Sequence, residues 1–265
     1  MVTFGLLTDT HFAHRHMKIN RYYANSAKKV KECIAEFQRY STDFIIHLGD
    51  IIDEPGDTAA GIAAAQEIRS VLSKLDCPQY FLQGNHDADS LPGTVFQNLF
   101  HPSYGYHYYS FTKENYTFIF LDCMYRQDFT PYTPGTMDWK ELYIPKEQQL
   151  WLTKELKKST KNQVLIFVHA LLDPITDPHV IRNAEDIRNI FKNFPNIVAV
   201  FQGHKHSGQF SLSQGIPYFT LPAMVESEKA HTCWVVRAQE NHMDIRVISN
   251  QETGSMTMAI DNNRI

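Results

Sequence analysis

An α/β fold is the architecture this sequence predicts, and three observations carry it. Short apolar runs alternate with helix-periodic stretches through the first third of the chain. Several of those runs stop abruptly on Asp, Asn or His, where a parallel sheet presents its functional groups. Beyond Phe210 the pattern changes to short β-like runs separated by turns such as Ser213-Gln214-Gly215.

Residues 2–7 form an apolar run, read as a buried strand, that ends at Thr8-Asp9-Thr10-His11. In extended backbone, side chains two apart point the same way, so Asp9 and His11 are expected to face one site. Asn25 or Ser26 suits the cap of a helix in which Val30, Ile34 and Phe37 recur at helical spacing. Residues 44–48 read as a second buried strand closed by Gly49-Asp50, and 58–75 as a second helix with Ile62, Ile68, Leu72 and Leu75 on one face. A third strand, Tyr80-Phe81-Leu82, delivers Gly84-Asn85-His86-Asp87. Right-handed crossovers make this strand–helix–strand–helix–strand series a parallel sheet.

The middle is less regular. Residues 104–111 and 117–121 read as strands, the second ending at Asp122, which suits the cap of a loop. Residues 123–144 form a long loop, and Pro145 starts a helix running to about Lys158. A strand over 164–168 ends at His169. A helix over 186–194 and a strand over 197–201 lead to Gly203-His204-Lys205-His206, where the histidines share a face and Lys205 takes the other. Residues 210–248 are expected to form a second, mostly antiparallel sheet. With no linker and no repeat, 1–265 reads as a single domain.

Composition narrows the class. Hydrophobic residues make up 43% and charged residues 20%, as in ordinary soluble globular proteins. The formal net charge of −4 gives no electrostatic case for nucleic acid or an anionic membrane as partner. Cys33, Cys77, Cys123 and Cys233 stand singly, which reads as buried, unpaired thiols in a reducing, cytoplasmic setting. No apolar run approaches the roughly 20 residues that span a bilayer. The strand pattern begins almost at Met1, which leaves no signal peptide; a chain whose leader had been removed would read the same way.

The run ends carry the chemistry. Asp9, His11, Asp50, Asn85, His169, His204 and His206 make an oxygen- and nitrogen-rich donor set without thiolate, suited to Mn, Fe or Zn. The set exceeds the needs of one ion and suits two ions about 3.5–4 Å apart sharing a carboxylate. Arg126, with Tyr125 and Tyr132, offers a guanidinium for phosphate and rings for a base, against the plainer reading of a solvated loop. His14, Arg15 and His16 follow the first motif closely enough to reach a substrate, whereas His47 reads as a hydrogen-bonded sheet residue.

Taken as a series, these words resemble the calcineurin-like metallophosphoesterases, whose motifs D-x-H, G-D, G-N-H-D/E, H and G-H-x-H match in order. Here they read Asp9-Thr10-His11, Gly49-Asp50, Gly84-Asn85-His86-Asp87, His169 and Gly203-His204-Lys205-His206. The resemblance implies a four-layer αββα sandwich of two mixed sheets flanked by helices, with two divalent metals. It places Asp9, His11, Asp50 and His206 on one metal, and Asp50 (bridging), Asn85, His169 and His204 on the other. It further implies hydrolysis of a small-molecule phosphoester by a metal-bridging hydroxide. His86 is then not a ligand but faces the phosphate or the leaving group, with Asp87 or a backbone carbonyl to orient it.

Within that superfamily the chain resembles the manganese-dependent ADP-ribose/CDP-alcohol diphosphatases. Three stretches carry the likeness: Gln148-Gln149-Leu150-Trp151-Leu152, Gln202 through Ser207-Gly208, and Gly215-Ile216-Pro217-Tyr218-Phe219 leading to Val225-Glu226. Many of that group carry glutamine at the place of His11 and glutamate at that of Asp87, while cyclic-nucleotide phosphodiesterases share the D-x-H form. A non-catalytic binding module, as in the retromer subunit of this fold, is the rival from another class; the retained His86 speaks against it.

Overall fold

A computed structural model of the chain describes residues 1–15, 17–100, 107–250 and 253–260. It is a four-layer αββα sandwich, and strand composition is the reason. The central strands are apolar almost throughout because each buries both faces, whereas the outer strands carry exposed positions. In β1 (Val2–Leu7), Phe4 and Leu6 point between the sheets while Leu7 packs outward. Phe44 and Ile46 of β2 (Phe44–His47) point inward and Ile45 outward. The third strand, β3 (Gln79–Phe81), completes the parallel trio β1-β2-β3.

Against the outer face of this sheet lie α1 (Ser26–Arg39), through Val30, Ile34 and Phe37, and α2 (Thr58–Leu72), through Ala64, Ile68 and Leu72. The α2 N-terminus is capped by Asp57, whose carboxylate accepts from the Ala60 amide at 3.0 Å. The expected cap of α1 is not made. The Asn25 amide instead donates to the Glu228 carbonyl at 2.9 Å, and the Ser26 hydroxyl to that of Thr10. Two short helices follow β3: α3 (Asn85–Ser90) and α4 (Gly93–Phe100).

The second sheet is built from β4 (Tyr109–Lys113), β5 (Tyr116–Leu121), β6 (Gln163–Val168) and β7 (Ile197–Gln202). Its inward face, Phe118, Phe120, Phe167 and Phe201, meets Phe4 and Phe44 in the core between the sheets. The outward face, including Ile119, Ile166, Val168 and Val200, is covered by α5 (Lys146–Lys158) and α6 (Ala184–Phe191). Of the strand expected over 104–111, residues 104–106 lie outside the described residues.

The chain after Phe201 departs from expectation. It makes no sheet of its own. β8 (Gln209–Ser213) and β9 (Ile216–Thr220) join the second sheet beyond β7, in the order β4-β5-β6-β7-β9-β8. β10 (Thr232–Ala238), β11 (His242–Ser249) and β12 (Thr253–Ala259) cross to the first, giving β12-β11-β10-β1-β2-β3. Strand pairing is set by distant partners, here Val2 with Ala238 and Leu6 with Trp234, and not by local pattern. Among the described residues no helix is long and apolar enough to cross a membrane, and all four cysteines are unpaired, with Cys33, Cys123 and Cys233 buried.

Candidate metal centre

The loops leaving β1, β2, β3, β6 and β7 converge at one edge of the sandwich. The first two run side by side: the Asp9, His11 and Phe12 amides donate to the carbonyls of Gly49, Asp50 and Ile51 at 3.1, 2.9 and 2.9 Å. Asp9 and His11 do not share a face by extended alternation. They stand at φ +50° and +42°, and Asp50 and His204 at +53° and +65°. Such left-handed positions cost roughly 1–3 kcal/mol each and persist where the surroundings over-determine them.

Asn85 and His86 likewise lie on the first turn of α3 and not on a strand end. A side chain at Gly84 would collide with the amide and carboxylate of Asp50, and one at Gly203 with the Thr8 hydroxyl and Asp9 Oδ2. These glycines admit the close approach of neighbouring loops. Asp87 is fully buried and braces them. Its Oδ1 accepts from the amides of Ile51 (2.9 Å) and Ile52 (3.0 Å), and its Oδ2 from that of Gly84 (2.9 Å). Burial and the neighbouring Asp50 carboxylate push Asp87 up to about 7.

Three donor groups result among the described residues: two share Asp50, and the third is His11 with Asp53 and His86. Asp9, His11, Asp50 and His206 each offer one atom within 4.8 Å of the others, and so do Asp50, His169 and His204. Asn85 Oδ1 lies 3.1 Å from His169 Nε2, adding an amide oxygen to the second cluster. His11 and His206 bring their Nε2 atoms to 3.2 Å of each other while their Nδ1 atoms face carboxylates, Asp53 at 3.3 Å and Glu226 at 2.6 Å. The Leu48 carbonyl accepts from His169 Nδ1 at 2.8 Å. A ring fixed through Nδ1 turns its Nε2 inward, as metal-bound imidazoles do.

Among the described residues, the buried Asp9 Oδ1 and His204 Nε2 have no hydrogen-bond partner. Orphaned polar atoms at such depth are costly unless something binds them. The donors are hard or borderline O and N atoms, and the two clusters share Asp50. This arrangement fits two divalent metal ions.

Charge follows the same plan. Burial opposes ionisation of Asp50, yet His169, His86 and His11 hold its carboxyl well below the usual carboxylate range. Burial also opposes a charge on His11, but Asp50 and Asp53 outweigh it and raise the ring to about 9; His169 is raised to about 9 chiefly by Asp50. Burial, with His169 beside it, lowers His204 well below the ordinary imidazole range. His47 is no part of the centre. Burial lowers it to about 3, and the neutral ring bridges the Thr10 hydroxyl (3.1 Å) and the Gly49 amide (3.2 Å).

His86 lies beside the first cluster, its ring 4.5 Å from that of His11. Asp87 does not orient it. Asp53, 2% exposed, does so from 3.0 Å at His86 Nδ1, and also meets Arg15 Nη2 at 2.5 Å and Arg21 Nη1 at 3.7 Å. Asp53 is not among the residues expected at the site, and its place three residues after Asp50 is the signal in the sequence that points to it.

A cavity of about 550 Å³ opens over the clusters, with Arg15, Lys18 and Arg21 in its lining together with Trp139, His179 and Glu226. Arg126, Tyr125 and Tyr132, expected to contact substrate, do not line it. Arg126 lines a separate shallow depression with Gln127 and Asp128, its guanidinium 5.0 Å from the Tyr132 ring centre. The Tyr132 hydroxyl donates to the Glu141 carbonyl at 2.9 Å, and Asp122, ahead of burial, pushes the Tyr125 phenol up. Asp122 itself accepts from the Met124 amide at 2.9 Å, as a loop cap does. Arg15 does reach the cavity, His14 instead pairs with Glu67 at 2.8 Å, and His16 lies outside the described residues.

The chain is similar to known proteins along most of its length. The chain is 25% identical over 273 residues to the manganese-dependent ADP-ribose/CDP-alcohol diphosphatase of Oryza sativa subsp. japonica, covering 85% of this chain and 84% of that protein. The Danio rerio protein of the same name is 23% identical over 293 residues, covering 85% and 88%. The crystal structure of a dimetal phosphatase from Danio rerio superposes with a TM-score of 0.83 at 20% identity, over 98% of this chain and 99% of that one, and so shares the fold. A family model described as calcineurin-like phosphoesterase matches residues 2–208, from β1 through the last paired histidine, and the chain therefore belongs to that family.

Proposed function

We propose that this metal-dependent phosphoester hydrolase acts on small nucleoside diphosphate-linked substrates, such as ADP-ribose or CDP-alcohols, with manganese as its metal. The observation that carries the reading is the position of Asp50 in both donor clusters beneath a cavity with arginines in its wall. The names of the rice and zebrafish relatives support the substrate class and the metal.

In this reading Asp9, His11, Asp50 and His206 hold the first ion, and Asp50, Asn85, His169 and His204 the second. The ions would supply positive charge for the phosphoryl oxygens and a hydroxide nucleophile near neutral pH. The rest falls to side chains. Asp50 holds the clusters together, with Oδ2 3.5 Å from His11 Nε2 and 3.4 Å from His169 Nε2. Asp53 fixes the His86 ring through Nδ1, and the ring lines the cavity, from where it would give a proton to the departing oxygen. Glu226 and Leu48 keep His206 and His169 turned inward.

The unpaired thiols support a reducing, cytoplasmic setting, and the charge of −4 supports a small-molecule substrate over nucleic acid or membrane. We read the chain as one domain, since β1 and β10 tie its two ends into one sheet. The test is to measure bound metal and turnover of ADP-ribose, CDP-choline, a cyclic nucleotide and an aryl phosphate with Mn present. Turnover of the diphosphates above the others is expected. A metal-loaded protein that leaves both diphosphates intact would refute the substrate class.

A further inference from the structure

The centre is polar in the sense of direction: its contacts form an ordered series with unlike ends. Trp139 and His179 lie 5.8 and 5.1 Å from the His204 ring, and His204 lies 5.1 Å from His169. His169 and His11 flank Asp50 at 3.4 and 3.5 Å. Past His11, the His86 ring is 4.5 Å away, and His86 Nε2 stands 3.5 Å from Arg21 Nη1. One end is therefore aromatic and the other cationic.

The aromatic end is built and held. Trp139, 38% exposed, is flanked by His179 at 4.9 Å and by the Lys140 ammonium at 5.1 Å from its ring centre. Its loop is pinned by the Arg182–Glu141 ion pair at 3.1 Å and by the Tyr132 hydroxyl on the Glu141 carbonyl. At the other end, Asp53 faces the guanidiniums of Arg15 and Arg21, with exposed Lys18 and the His206 partner Glu226 also in the lining, three cations to two carboxylates. That end keeps a surplus of positive charge.

We propose that these ends orient the substrate, so that the phosphorus attacked is the one attached to the nucleoside. This rests on the reading of the substrate as a nucleoside diphosphate ester. The base stacks at Trp139 and His179, the nucleoside phosphoryl sits over Asp50, and the second phosphoryl lies toward Arg15 and Arg21. Water adds its oxygen to the nucleoside phosphorus, and the bond from that phosphorus to the bridging oxygen breaks. The bridging oxygen leaves with the second phosphoryl, takes its proton from the His86 side, and has its growing charge met by the two guanidiniums. The reverse orientation would put the base against two guanidiniums and leave the departing anion only the single exposed ammonium of Lys140 beside the indole.

The experiment is single-turnover hydrolysis of ADP-ribose by the Mn-loaded protein in ¹⁸O-water, with mass spectrometry of both products. The label is expected in AMP alone. Label in ribose 5-phosphate, or in both products in comparable amounts, overturns the orientation while leaving the hydrolase reading intact. No hydrolysis at all overturns the substrate class, and the orientation falls with it. Product inhibition gives a second measure. Trp139→Ala is expected to weaken inhibition by AMP about tenfold, in line with stacking on one ring, and to leave that by ribose 5-phosphate unchanged. Arg21→Gln is expected to do the opposite, and equal effects on both products in either variant would contradict two distinct ends.

Discussion

The two donor clusters share Asp50 but are braced by different chemistry. In the first, His11 and His206 each back onto a carboxylate, Asp53 and Glu226. In the second, His169 backs onto a neutral carbonyl and the remaining oxygen comes from an amide, while His204 is driven to its neutral form by burial. A carboxylate behind an imidazole raises its basicity. The lesson is that one ion should be held tightly, near the arginines and His86, and the other loosely, near Trp139. Slow chelation should remove the second ion first.

Asp50→Asn is the largest blow to this contrast, because it damages both clusters at once. Metal content should fall below two ions per chain and kcat/KM by about 10⁴-fold, with the circular dichroism spectrum intact. Two retained ions with full turnover would end the bridging role. His86→Asn should lower kcat by about 10³-fold and leave elemental analysis unchanged, which separates proton transfer from metal binding. Loss of metal in that variant would make His86 a ligand.

The pH dependence of loading sharpens the contrast further. Asp50 keeps both His11 and His169 at about 9 in the metal-free protein, so both rings are protonated at pH 7. An ion must displace those protons, so affinity should climb as pH rises toward 9, about tenfold per unit for each proton released. Calorimetry in buffers of different ionisation enthalpy reads the proton count directly, and a count of zero contradicts it. The smallest effect is expected for Glu226→Gln: about tenfold weaker affinity at the first cluster and none at the second. Equal weakening at both would erase the distinction.

The donors were legible in the sequence because they are chemically unusual as strand endings, but the reason they converge was not. Alternation along an extended strand accounts for Asp9 and His11 on paper; in the structure, left-handed turns at both residues aim them. Tyr125, Arg126 and Tyr132 of the 123–144 loop lie outside the cavity lining, and Tyr132 spends its hydroxyl on Glu141 within that loop. Trp139, from the same loop, reaches the cavity. Which loop side chain turns inward depends on tertiary anchors such as Arg182, which no local pattern encodes. The split of the last five strands between two sheets was hidden for the same reason, as their partners lie far away in sequence.

That split bears on the order of synthesis. A ribosome releases β1 long before its antiparallel neighbour β10. Until β10 emerges, β1 has an open edge, and the Val225 amide that donates to the Asp9 carbonyl at 3.0 Å is still to come. Contacts so distant in sequence assemble slowly, after their entropy of closure has been met. Bracing of Asp9 by Val225 and closure of the β1 edge therefore wait on residues beyond the last motif, and a product cut after His206 would carry every motif yet leave that edge open to aggregation.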